Sequence, residues 1–127
     1  IKRGWDDFRV LAGSETFLLQ NMRAGGAGCI SATANVNPAA IHELYENWQD
    51  PDADAKQAAL DDIRGVFQPF PMIPALKVAS ANYSGDASWE TVRPPLMALN
   101  AAQKATLLDG LKQRNFDMPG LAEAALS

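Results

Sequence analysis

Two residue types on which site chemistry often depends are almost missing: the 127-residue chain holds one cysteine, Cys29, and one histidine, His42. One cysteine forms no intrachain disulfide, so a reducing, cytoplasmic setting is the simpler expectation. His42 has no cysteine or second histidine at ligand spacing, so no metal is expected. Runs of like charge are also missing. With 11 Lys+Arg against 15 Asp+Glu, the net charge of −4 is dispersed, and there is no basic stripe to attract nucleic acid. No apolar run approaches the ~20 residues that span a bilayer, and neither repeats nor low-complexity segments occur. What remains is 47% hydrophobic and 20% charged, a globular composition, in a chain long enough to bury roughly two-thirds of its unfolded surface.

The most informative stretch runs from Phe8 to Ile41. Phe8–Ala12 is a short apolar run broken only by Arg9, the pattern of a parallel strand covered on both faces. Ser14 is placed to cap the helix that follows, and Glu15 puts a negative charge at its positive end. That helix is expected to turn Phe17, Leu18, Leu19 and Met22 inward and to stop at Gly25-Gly26, where a left-handed residue is allowed. Cys29–Ala34, small and β-branched, reads as a second strand. Asn37-Pro38 opens the next helix with a side-chain acceptor and a preset φ. Strand, helix, strand and helix at this tempo make a βαβα unit with a right-handed crossover.

Downstream the pattern is helical. Ile41, Leu44, Tyr45 and Trp48 form an apolar stripe that ends at Asp50-Pro51. An Ala-rich helix spans Asp52–Phe67, with Ala59, Leu60, Ile63, Val66 and Phe67 on its apolar side. The prolines of Gln68–Pro74 make a packed turn before a helix that runs from near Pro74 to about Tyr83. The segment Asp86–Leu99, interrupted by Pro94-Pro95, is expected to be extended. Asn100 and Gln103 form a capping box for a last long helix, carrying Leu107, Leu108 and Leu111. A short turn, Leu121–Leu126, closes the chain. Two strands of parallel character with no third to flank them do not make a stable sheet, so the expectation is the C-terminal part of a larger α/β protein.

Several motifs make that expectation specific: Gly13–Thr16 (GSET), Gly25–Pro38 (GGAGCISATANVNP), Asn37–Trp48 (NPAAIHELYENW), Pro71–Ala79 (PMIPALKVA) and Val92–Leu96 (VRPPL). The core G-x-x-x-I-S-x-T-A-N (Gly26, Ile30, Ser31, Thr33, Ala34, Asn35) precedes an I-P-x-x-K (Ile73, Pro74, Lys77). Together they resemble the dihydrodipicolinate synthase/N-acetylneuraminate lyase family of class I aldolases over nearly the whole chain. The resemblance implies an α/β fold: strands 7 and 8 of a TIM (β/α)8 barrel within residues 1–50, and a three-helix C-terminal extension over 51–127. It implies a Schiff base between pyruvate, or another 2-keto acid, and a lysine on the sixth strand, a tyrosine proton shuttle, and a homotetramer. It implies no cofactor. The lysine motif K-D-x-S and the tyrosine have no counterpart in these residues, so no catalytic residue is assigned. The family pattern places the Ile30 carbonyl against pyruvate and Gly13, Ser14 and Glu15 near the second substrate; Ser31, next in sequence to Ile30, is counted with the substrate-binding residues. Glu15-Thr16 replaces the two consecutive acids of sialic-acid lyases, which speaks against sialic acid.

Other candidates have plainer explanations. Lys77 lies in an apolar neighbourhood, but on a helix remote from any strand end, so a packed stem is expected rather than a nucleophile. The glycines Gly26 and Gly28 precede a strand, whereas phosphate-binding glycines follow one. His42 lies off the apolar stripe, Cys29 reads as a small core residue, and the remaining charges read as solvated helix faces. Glu15 suits a first-turn acid as well as a substrate contact, and the direction of Ser31 and Thr33 stays open. Apart from the aldolase, two readings remain: a non-catalytic structural or association module, and an open doubly wound α/β domain. The three-helix tail argues against the second.

Overall fold

The computed structural model describes residues 6–121. The expected turn at Leu121–Leu126 lies almost wholly outside the described residues. The chain forms two compact units, one up to Arg64 and one from Gly65.

In the first unit the order is β1 (Leu11–Ala12), a 3-10 turn (Glu15–Phe17), α1 (Leu18–Arg23), β2 (Gly28–Cys29), a second 3-10 turn (Ala32–Asn35), α2 (Pro38–Glu46) and the start of α3 (Ala53–Phe67). The strands pair in parallel, Leu11 opposite Gly28 and Ala12 opposite Cys29. Bonds from Ala27 N to Val10 O and from Ile30 N to Ala12 O, each 2.8 Å, extend the ladder by one residue at either end. Ser14 caps the first turn by accepting from Thr16 N, and α1 gives way to Gly25 at φ +82°. Leu18, Leu19, Ile41, Leu44, Ala53 and Leu60 form the core, with Met22, Cys29 and Trp48 packed against it.

Three expectations are corrected. The second strand ends at Cys29 rather than Ala34, because Thr33 turns its hydroxyl to a carboxylate and residues 32–35 wind into a 3-10 turn. The strands are not covered on both faces: Phe8 and Leu11 are each 48% exposed, and Phe17 also lies outside the core. Asn37 makes no side-chain cap; Pro38 alone opens α2. The core of the first unit also takes in Ala53 and Leu60 of α3.

The second unit holds the end of α3, then α4 (Met72–Ser84), a 3-10 turn (Ala87–Glu90) and α5 (Ala101–Gln113). The left-handed Gly85 stops α4. The capping box forms as expected: Asn100 accepts from Gln103 N, and Gln103 Oε1 accepts from Asn100 N. Phe67 meets Phe116 edge-on, and Phe116 meets Tyr83 the same way. Residues 91–99 lack regular structure; Leu99 is their buried anchor, while Leu96 is exposed.

Candidate active site at the strand ends

Parallel pairing places the segments that leave β1 and β2 on the same side of the sheet. Gly13–Glu15 and Ile30–Thr33 therefore meet, and Glu15 joins them. Its side chain is 2% exposed, which no lone carboxylate tolerates without partners. Glu15 Oε2 accepts from Ser31 Oγ, Oε1 accepts from Thr33 Oγ1, and Arg64 Nη1 donates to Oε2 over 2.8 Å. Ser14 Oγ adds a longer contact to Oε2 at 3.2 Å. Burial pushes the Glu15 carboxyl up, but the Ser31 and Thr33 hydroxyls, its own backbone N–H and the Arg64 charge outweigh that, holding it below the usual carboxylate range. Gln57 completes the arrangement: its Nε2 donates to Glu15 O over 3.0 Å, and its Oε1 accepts from Leu19 N over 3.1 Å.

A second polar clamp lies further back along the strands. Asn21 is buried on α1 and donates through Nδ2 to Val10 O (3.0 Å) and Gly28 O (2.9 Å), one carbonyl from each strand segment. A two-residue pairing is short for a stable sheet, and this amide adds a tie across it. It also explains Gly26, where an added Cβ would fall 2.2 Å from Asn21 Nδ2.

The expected site residues separate into two groups. Gly13 is exposed, with open space where a Cβ would stand. Ile30 is 69% exposed, and its N–H is bonded to Ala12 O. Glu15 and Ser31, by contrast, are bonded to each other, and Ser14 is half-buried beside them. Sequence reasoning missed Arg64, Gln57, Asn21 and the direction of Thr33. By sequence alone Arg64 reads as part of a solvated helix face. The available signal was spacing: Ala53, Gln57, Leu60 and Arg64 share one stripe of α3, so its two polar members face the same way as its apolar ones.

The remaining candidates take structural roles. Lys77 Nζ stands 5.7 Å from the Trp89 ring centre. His42 stacks on Tyr45. Burial, helped by the Glu15 charge, pushes the Cys29 thiol up, which keeps it protonated and poorly nucleophilic. Among the described residues no group of three His, Cys, Asp or Glu is arranged to hold a metal, and no helix is long and apolar enough to cross a membrane.

Comparison with known proteins gives consistent matches. The family model for the dihydrodipicolinate synthetase family matches residues 1–114. An uncharacterized DapA-like lyase of Halobacterium salinarum is 33% identical over 104 residues, 80% of this chain and 34% of the relative. The 4-hydroxy-tetrahydrodipicolinate synthase of Methanopyrus kandleri is 33% identical over 112 residues, 85% of this chain and 36% of that enzyme. Among solved structures, the E. coli K12 prophage protein YagE, of the dihydrodipicolinic acid synthase family and in complex with pyruvate, superposes with a TM-score of 0.74 at 30% identity. The match covers 86% of this chain and 38% of YagE. The chain spans about a third of the length of the curated relatives it matches.

Proposed function

Because the chain belongs to the dihydrodipicolinate synthetase family, we propose that it forms the closing part of a Schiff-base, pyruvate-dependent aldolase or synthase. The observation that carries this reading is the parallel, in-register pairing of β1 and β2, with Gly13–Glu15 and Ile30–Thr33 gathered at their C-terminal ends. In (β/α)8 barrels that end of the sheet is the catalytic face. β1 and β2 are then the seventh and eighth strands, and the helices from α3 onward are the extension. The exposed apolar side chains of Phe8, Leu11 and Tyr45 support this, since six further strands would cover them. So does the cavity of about 250 Å³ lined by Leu11, Gly28, Cys29 and Tyr45.

In this reading a lysine amine from the rest of the barrel attacks the keto carbon of pyruvate, and water leaves to give the iminium. The iminium draws electrons from the methyl carbon, which gives up a proton; the resulting enamine adds to the carbonyl carbon of the second substrate. Cleavage runs the same steps backward, and water releases the lysine at the end. The Ile30 carbonyl faces the bound pyruvate. Gly13 and Ser14 border the second substrate, while Glu15 and Ser31 form the polar floor beneath them. The chemistry requires no metal or dissociable cofactor, and the working enzyme is a homotetramer.

Borohydride reduction in the presence of pyruvate tests the reading. A polypeptide carrying these residues together with the lysine gains a covalent pyruvyl adduct by mass spectrometry, and the 127-residue chain alone does not. No adduct on the longer protein refutes the proposal. That result would leave the second reading, a non-catalytic association module.

A further inference from the structure

Glu15 is an unusual use of a carboxylate at a strand end. A side chain reserved for a substrate hydroxyl would keep an oxygen open, yet both Glu15 oxygens are spoken for by Ser31, Thr33 and Arg64. Those hydroxyls belong to the segment that directly follows Ile30. Upstream, Ile30 N is fixed to Ala12 O at 2.8 Å. The peptide carrying the Ile30 carbonyl is therefore held on one side by the sheet and on the other by the carboxylate. α3 completes the hold from outside the sheet: Gln57 bonds the Glu15 carbonyl and Arg64 its carboxylate.

We propose that Glu15, anchored by Arg64, is a positioning residue that fixes the Ser31–Thr33 turn and thereby aims the Ile30 carbonyl at bound pyruvate. The inference rests on the reading that this carbonyl faces pyruvate, and it makes Glu15 act on the first half of the reaction rather than on the second substrate. In its absence the turn is free to rotate the peptide away. Misplacement of a contacting group by about 1 Å is enough to cost on the order of 100-fold in rate.

Exchange of the pyruvate methyl protons with deuterated water separates the two roles, because it needs the iminium and enamine but no second substrate. The protein carrying these residues and the lysine is compared as wild type, Glu15→Gln and Thr33→Val, with Asp54→Ala as a control at an exposed ion pair. Thr33→Val removes one hydroxyl and leaves no charge unpaired, so it decides the matter should Glu15→Gln fail to fold. The expected result is a fall of about 10- to 100-fold in kcat/KM for exchange in both variants, with circular dichroism unchanged and the control like wild type. Exchange within about twofold of wild type overturns the inference. If KM for the second substrate then rises alone, Glu15 is a direct contact instead. A wild type that gains no pyruvyl adduct overturns the aldolase reading and this inference with it; one that gains the adduct while its variants exchange normally overturns the inference alone.

Discussion

Replacing Gly26 with alanine tests whether Asn21 truly ties the strand pair. The new methyl would lie 2.2 Å from Asn21 Nδ2 and 2.3 Å from its Cγ and Oδ1. The amide has little room to yield: Asn21 is 7% exposed and bonds the carbonyls of Val10 and Gly28. Driving it out strands polar groups at about 1–3 kcal/mol each, a total near 2–6 kcal/mol for the two carbonyls. The stiffer unfolded chain offsets ~0.4–1 kcal/mol of that. In an Asn21→Ala background the obstructing amide is gone. There the same Gly26→Ala change should be neutral or should stabilise by up to ~1 kcal/mol. Urea unfolding followed by tryptophan fluorescence reads this out, because Trp48 packs on the core of the same unit, and midpoints compare directly when slopes agree. A Gly26→Ala cost equal in both backgrounds to within about 0.5 kcal/mol would refute the reasoning.

Leu44, with 0% exposure at the centre of the first core, should cost about 2–5 kcal/mol when cut to alanine, read from the same unfolding curves. The depressed Glu15 carboxyl adds stability in full above its unfolded pKa. That contribution disappears as pH falls through the lower folded value, so Glu15→Gln should flatten the acid limb of a stability-against-pH profile. Asn100→Ala breaks both arms of the capping box and should cost about 1 kcal/mol, with faster amide exchange in the first turn of α5. Arg23→Ala removes an exposed pair with Asp54, and thermal melting should register almost no change.

The helices could be read from the chain because their information is local. The stripe through Ile41 and Leu44, the Asn100–Gln103 pair and the glycine at 85 each act within a turn or two of themselves, and α3 to α5 lie close to where periodicity puts them, while α2 stops at Glu46, short of the expected end at Asp50-Pro51. Strand lengths could not be read the same way. Thr33 has strong β-propensity, but its hydroxyl finds a buried carboxylate, and that bond outweighs the propensity. The site was half legible for a related reason. Gly13, Ser14, Ile30 and Ser31 announce themselves by motif. The fate of Glu15, by contrast, depends on Arg64, 49 positions away along the chain, and pattern alone does not report a partner at that range.

Gln57 and Arg64 reach the same residue from positions seven apart on α3, two turns of an α-helix. This makes α3 a ruler. Inserting or deleting one residue between them would rotate one grip by about 100° away from Glu15, whatever the inserted side chain. Between Gln57 and Arg64, then, the helix is free to vary in composition on its outer face but not in length, and a shortened or lengthened α3 should lose the grip even with every gripping residue retained.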